Sequence, residues 1–442
     1  MYRFVTAVSV LLLALPALAD FSSGSNGTDL ALDCDALMAL DPVNCTACDE
    51  TCTVQIDLAL AASLCDCGMD GQFDDPCESD CINPVPRRGL YDASEWAVVY
   101  NYTTIDIPAG VTVTFHNHPK GAPVVWLASG DVIIAGTVSL DGADGSNDPG
   151  SSYAIPGPGG FSGGIRRLGG SAGFGPGGGG ASSIVGIDGG GGGYGAAGTP
   201  SEGLGGVIYG TASIVPLIGG SGGGAGCAQT AGGAGAGAIL IGSSGAITLE
   251  STGRIFATGG LAGPLNGICD AGSGSGGGIR LITNIISGTG ILRARGGTAT
   301  SAGGFGRIRV EATSNMLEDR GDPPFSTGLP GSVFPEATAP SLRVTAVNGK
   351  LVPLDPLATV ASGDVAFFSD VPVTIDIEAL NLPAEAVGMT VNVRIVQAEG
   401  GVSTVVPSTP LADDGNGGLA ATAEFDFVPV GRWEVQLSFQ LP

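Results

Sequence analysis

The stretch "GPGGGGASSIVGIDGGGGGYGAAGTP", Gly175 to Pro200, decides how this chain is read. Glycine at such density ordinarily describes a flexible coil with no packed interior. Yet Ile184, Val185, Ile187 and Tyr194 sit inside it, with Asp188 as the sole charge. A spacer has no use for those apolar residues. The alternative is a packed element that depends on glycine. Left-handed extended helices of polyproline-II type have three residues per turn and no internal hydrogen bonds. Glycine lets such helices touch, so that neighbours satisfy each other's amides. On that reading Ile155, Phe161, Ile165, Phe174, Ile184, Val185 and Ile187 cap the bundle or pack on the element that carries it.

That element shows in an internal repeat on both sides. "GTVSLDGA" from Gly136, "GRIFATGG" from Gly253 and "GILRARGG" from Gly290 share one pattern. An aliphatic stands third (Val138, Ile255, Leu292), a small or aliphatic residue fifth (Leu140, Ala257, Ala294) and glycine seventh. A second unit, "GAILI" from Gly237, "GGIRL" from Gly277 and "GRIRV" from Gly306, places apolar residues at alternate positions. A further short strand is expected in "GAITL" (Ile247, Leu249). Two kinds of period-two strand recurring in order, with glycine at the corners, predict a parallel β-helix whose stacked coils bury their inward residues as columns. The competing architecture is an antiparallel sandwich.

The rest of the chain divides around this region. Residues 1–19 read as a secretory signal, with Arg3 before an apolar core and Ala17-Leu18-Ala19 before the cut. No later stretch is apolar for long enough to span a bilayer. Residues 20–88 form a cysteine-rich segment holding Cys34, Cys45, Cys48, Cys52, Cys65, Cys67, Cys77 and Cys81. Export favours four disulfides there, with connectivity left open, and a further Cys227–Cys269 bridge in the glycine-rich region. Cys45-Thr-Ala-Cys48 also has zinc-like spacing, the weaker reading in an oxidising compartment. Residues 89–315 are the glycine-rich solenoid, 316–340 a Pro/Gly/Ser-rich linker, and 341–442 an Ig-like sandwich of short alternating strands. The fold class is therefore all-β. The net charge of −25, with Lys120 and Lys350 the only lysines, excludes nucleic acid as a partner.

Several stretches resemble a group of exported bacterial glycine-rich proteins without an assigned activity. They are "VVYNYTTIDIPAGVTVTF" (Val98 to Phe115), "PVVWLASGDVIIAGTVSLDG" (Pro123 to Gly142), "GSGGGIRLI" (Gly274 to Ile282) and "GGFGRIRVEA" (Gly303 to Ala312), with "PSLRVTAVNG" and "GRWEVQLSF" near the C-terminus. The resemblance covers most of the chain from Trp96 onward, and the cysteine segment departs from it. It implies a secreted or surface β-solenoid and supplies no catalytic residues.

Candidate chemistry is sparse. His116 and His118 are the only histidines, and alternate places on a strand would direct both to one face as a weak metal pair. Asp66, Asp70, Asp74 and Asp75 lie in "CDCGMDGQFDDPCESDC", where a calcium site braced by disulfides competes with a solvated acidic loop. "DGADGSND", Asp141 to Asp148, is a fainter version. Arg280 and Arg309 hold equivalent outward places in successive units, with Arg293, Arg295 and Arg307 on adjacent strands. Stacked coils would set some of them about 4.8 Å apart. Glu311 and Glu250 are the expected counter-anions, and a groove for acidic glycans is the functional alternative. Two histidines, with acids sparse among the solenoid strands, leave no acid/base constellation. The expectation is a non-enzymatic secreted or cell-surface protein that contacts glycans, matrix or other copies of itself, with no cofactor except possible calcium. A β-helix lyase or hydrolase of acidic glycans and an ice-binding protein are the alternatives.

Overall fold

A computed structural model describes residues 21–48, 51–63, 86–148, 153–166, 171–182, 188–227, 230–263, 270–336, 338–352, 365, 372–397, 403–426, 428 and 433–439. The expected signal segment, Cys65, Cys67, Cys77, Cys81, Cys269, the acidic quartet Asp66, Asp70, Asp74 and Asp75, and Ile184, Val185 and Ile187 lie outside the described residues.

The chain is mostly β, and its larger part consists of parallel sheets. The N-terminal elements are β1 (Leu30–Leu32), α1 (Cys34–Leu40), β2 (Cys52–Asp57), β3 (Ala62–Ser63) and β4 (Leu90–Asp92). Next come β5 (Ala97–Ile107), β6 (Val111–His116), β7 (Val124–Ala128), β8 (Val132–Ile134) and β9 (Thr137–Ser139). After the glycine-rich excursion follow β10 (Ala238–Leu249), β11 (Arg254–Phe256), β12 (Gly278–Gly288), β13 (Ile291–Arg293), β14 (Arg307–Leu317), β15 (Gly321–Asp322) and β16 (Ser326–Gly328). One sheet has ten strands in the order β16-β14-β12-β10-β7-β5-β4-β3, with β1 and β8 joined to β5. The other has six, β15-β13-β11-β9-β6-β2. From β9 to β16 the chain visits the two sheets alternately, and every pair is parallel except β4 with β5.

The register explains why the repeat carries its apolar residues where it does. Val54, Val113, Val138, Ile255 and Leu292 stand opposite one another on successive strands of the six-stranded sheet. Tyr100, Trp126, Ile241, Leu281 and Val310 do the same on the ten-stranded sheet. All of them belong to one buried core. No strand encloses its own inward residues; the neighbouring strand does, at about 1.5–3 kcal/mol for each fully buried large side chain. "GAILI" and "GAITL" form a single strand, β10, with a register shift between Ser243 and Ala246.

The cysteine segment is part of this body, not a unit ahead of it. β1 pairs with β5, and β2 pairs with β6 along its whole length. Asp33 caps α1 by accepting from the Ala36 amide, and Ala36 and Leu37 are buried in the main core. Disulfides Cys34–Cys48 and Cys45–Cys52 tie the helix and its following turn to β2. The zinc reading of Cys45 and Cys48 is thereby corrected, because each sulfur is spent on a different disulfide. Cys227 is also disulfide-bonded.

The glycine-rich excursion is ordered by main-chain hydrogen bonds that repeat every third residue. Ala231, Ala234 and Gly237 donate to Ser146, Ala143 and Leu140 at 2.8–3.0 Å. Gly232, Gly235 and Ala238 donate to Gly164, Phe161 and Pro158, while Gly233 and Ala236 donate to Gly272 and Ser275. One extended segment thus has three faces, each bonded to a different neighbour. Segment 272–277 behaves alike, donating in turn to Gly224, Ser301, Gly260, Ser221, Gly304 and Ala257. Glycine is required by closeness: a Cβ on Gly232 would stand 1.9 Å from the Gly223 oxygen. Phe161 and Phe174 enter the main core, and Tyr194 is buried against Tyr209. Ile155 is exposed instead of packed.

Residues 316–340, expected to be a linker, are largely docked. β16 pairs with β14, Phe325 packs on the core, and Val333 and Phe334 cover apolar residues on the outer face of the ten-stranded sheet. Beyond them come β17 (Ser341–Val347), β18 (Lys350–Leu351), β19 (Val373–Leu380), β20 (Asn392–Gln397), β21 (Ser403–Pro407), β22 (Ala412–Asp413), β23 (Leu419–Phe425) and β24 (Trp433–Ser438). They form two antiparallel sheets, β18-β17-β19-β23-β22 and β21-β20-β24, around a separate apolar cluster. Asn348-Gly349 makes the β17–β18 turn, with φ of 48° and 71° as a tight hairpin requires.

Candidate functional site

The two parallel sheets differ on their outer faces. On the ten-stranded sheet, outward Val125, Leu127, Leu240 and Ile282 are covered by Phe21, Leu217, Val333 and Phe334. The short strands of the six-stranded sheet alternate between a buried central residue and half-buried flanking ones. On its outer face the outward residues of β9, β11 and β13 are half-buried; most are polar, and Phe256 and Ile291 are apolar.

Three tripeptides build that face: Thr53-Val-Gln55, Thr112-Val-Thr114 and Thr137-Val-Ser139. Each valine points inward, so the flanking residues point outward. Thr53 stands opposite Thr112, Thr112 opposite Thr137, and Gln55 opposite Thr114. The result is a grid of hydroxyl and amide groups about 4.8 Å apart between strands and roughly 6.6 Å along them. The columns continue into cations and an aromatic: Arg254 is opposite Thr137, Phe256 opposite Ser139, and Arg293 opposite Phe256. The Arg293 guanidinium lies 4.6 Å from the Phe256 ring centroid, a cation–π contact. Arg295 is 3.7 Å from Asp322, and Arg254 donates to the Ser251 and Gly253 carbonyls. In the sequence Thr112 and Thr114 are a Thr-x-Thr pair short of a threonine ladder, and Thr53, Gln55, Thr137, Ser139, Arg254 and Phe256 were missed. The recurring Thr-Val-polar tripeptide is the signal that identifies them.

The five arginines singled out from sequence divide between two places. Arg293 and Arg295 lie on this face. Arg280 and Arg309 are in register on β12 and β14 of the other sheet. There Glu311 is the shared anion, 3.2 Å from both Arg280 Nη2 and Arg309 Nε. Arg280 is only 4% exposed and also donates to the Ser332 and Val333 carbonyls at 2.9 Å. It is a buried clamp on the 331–334 segment, so a glycan-contact role for Arg280 is corrected. Glu250 is exposed in the turn before β11. Arg307 donates to the Tyr209 carbonyl and lies over the Tyr194 ring.

The two histidines do not share an environment. His116 ends β6 and its Nδ1 is 2.7 Å from Asp57 at an exposed edge. His118 lies beyond the strand, stacked on Tyr91 at 4.3 Å, with its Nδ1 accepting from the Lys120 amide. Burial, with the Lys120 charge adding to it, pushes the His118 pKa below the usual histidine range. The paired-ligand expectation for His116 and His118 is therefore corrected. Among the described residues there is no group of three or more His, Cys, Asp or Glu able to hold a metal. Asp141 and Asp144 instead accept from the Thr258 and Leu261 amides, capping the neighbouring segment. Among the described residues no helix is long and apolar enough to cross a membrane. Comparison of the chain with protein-family models, curated proteins and solved structures finds no match.

Proposed function

We propose that this is a secreted or cell-surface structural and adhesive protein of the glycine-rich β-solenoid kind. On this reading the two parallel sheets are the walls of a solenoid. The three-residue hydrogen-bond period marks a polyproline-II-type bundle at its side, and the C-terminal sheets form an Ig-like sandwich. The contacting surface is the outer face of the six-stranded sheet and the glycine-rich segments that continue it. The observation that carries the reading is the in-register grid of Thr53, Thr112, Thr137, Gln55 and Thr114 running into Phe256 and Arg293. Flat hydroxyl, amide and guanidinium arrays suit polyhydroxylated surfaces, and the arginines suit carboxylated glycans. Purified protein on a glycan array should bind acidic glycans, and Arg293→Ala and Phe256→Ala should each weaken that binding about tenfold. Absence of glycan binding, together with a monomer by light scattering, removes the adhesive reading.

The same grid supports ice binding as a second reading, because its spacings are regular in two directions and three of its strands are uncharged at these positions. Thermal hysteresis that disappears in Thr114→Lys would support it, and its absence in the wild-type chain would dispose of it.

A further inference from the structure

Residues 21–29, "FSSGSNGTD", cross four neighbouring strands of the ten-stranded sheet on its outer side. The Asn284 side chain on β12 holds the Phe21 main chain twice, accepting from its amide at 2.7 Å and donating to its carbonyl at 3.0 Å. The Ser23 amide donates to Ser244 Oγ on β10, and Ser23 Oγ donates to the Ala128 carbonyl on β7. Ser25 Oγ donates to the Tyr102 carbonyl on β5. Asp29 then exchanges two bonds with the Asn101 main chain, at 2.8 and 2.7 Å. Alternate residues therefore step from strand to strand.

The groove is built by the sheet and not by the strap. Ser244 and Asn284 stand at the β10–β12 register shift, where the ladder leaves room for side chains to reach outward. Gly242 is the floor: a Cβ there would lie 3.7 Å from the Ser23 Cβ and 3.2 Å from Leu127 Cδ2. Phe21 supplies the one apolar anchor, packing on the outward cluster that includes Leu127, Leu240 and Ile282. Recognition thus rests on strap main-chain atoms, the Ser23 and Ser25 hydroxyls, the Asp29 carboxylate and one aromatic ring. The strap is joined to β1 through Gly24 and Gly27, with φ of 76° and 72°, a backbone that glycine adopts freely.

We infer that this groove is a peptide-acceptor site, and that its second occupant is the 21–29 segment of another copy of this chain. The strap is covalently continuous with β1, which holds its effective concentration at the groove at about the millimolar range, so the chain's own segment fills the groove in dilute solution. Exchange of straps then links copies by contacts already present in one chain, as in domain swapping. The inference deepens the self-contact part of the adhesive reading, and uses the opposite sheet from the proposed glycan face, so either can fail without the other.

The test mixes two full-length variants. Gly242→Leu fills the floor of the groove and leaves the strap free. Phe21→Ser with Ser23→Pro spoils the strap and leaves the groove open. Each alone should be monomeric, and an equimolar mixture should form a heterodimer by size-exclusion chromatography with light scattering. A mixture of two folded variants that stays monomeric overturns the inference. Should either variant not fold, the wild-type chain decides. A synthetic Phe21–Asp29 peptide at about 10 mM, above the effective concentration of the tethered strap, should speed amide exchange at Ser23 and Asp29 at least fivefold. Unchanged exchange overturns the inference.

Discussion

At Glu311 a single carboxylate answers two guanidinium groups and the Gly331 amide while only 4% exposed. Glu311→Ala would leave Arg280 charged and unpaired under the 331–334 segment, at a cost of about 3–5 kcal/mol. Urea denaturation measures it, and Arg280→Met combined with Glu311→Leu should cost much less. His118 gives a residue-scale pH dependence. Its folded pKa lies below its unfolded value of 6.5, so the unfolded chain binds the proton first as the solution is acidified. The stability it supports is complete above that value and is lost as pH falls toward the folded value. His118→Gln keeps an acceptor for the Lys120 amide and takes up no proton, so it should flatten the fall in Tm between pH 7.5 and 5. Glu311 as the counter-anion of the stacked arginines was legible in the sequence; the burial of Arg280 and the surroundings of His118 were not. Arg280 sits in a strand repeat that looks equivalent to Arg309, and only the docking of 331–334 buries the former.

Among the elements, the glycine-rich segments and the short strands obey different packing rules. The strands bury side chains, whereas the glycine segments bury main chain against main chain. Gly232→Ala puts a Cβ against the Gly223 oxygen, where neither backbone can move without disturbing the next segment. The expected cost is about 3 kcal/mol, against roughly 1 kcal/mol or less for Ala234→Gly, whose loss is mainly backbone entropy. Thermal denaturation of the two variants separates these outcomes. Amides of 231–238 and 272–277 should also exchange as slowly as those of β10 and β12; rapid exchange would mean that the three-faced bonding does not persist in solution. Glycine density with apolar residues set inside it announced this element in the sequence. The identity of each segment's three neighbours was not announced, because they arrive from up to a hundred residues away.

For the whole molecule, the decisive feature is that the parallel body is closed where the cysteine segment joins it. α1, Cys45 and Leu58 share the core with β2, and the two disulfides tie this cap together. Each disulfide in such a cap contributes about 2–4 kcal/mol. Reduction should lower Tm and expose the β2 edge, an unpaired edge being a template for association. Light scattering with and without reductant checks this; an unchanged Tm would show that the cap holds by packing alone. Period-two strands, their repeating order and glycine at the corners were all readable in the sequence, because each is a local property of a few residues. The alignment of Thr53 with Thr112 and Thr137 was not, nor was the covering of one sheet and the exposure of the other. Those depend on strands 25 to 60 residues apart meeting in register and on distant segments docking over Val125 and Leu240, which only long-range packing decides.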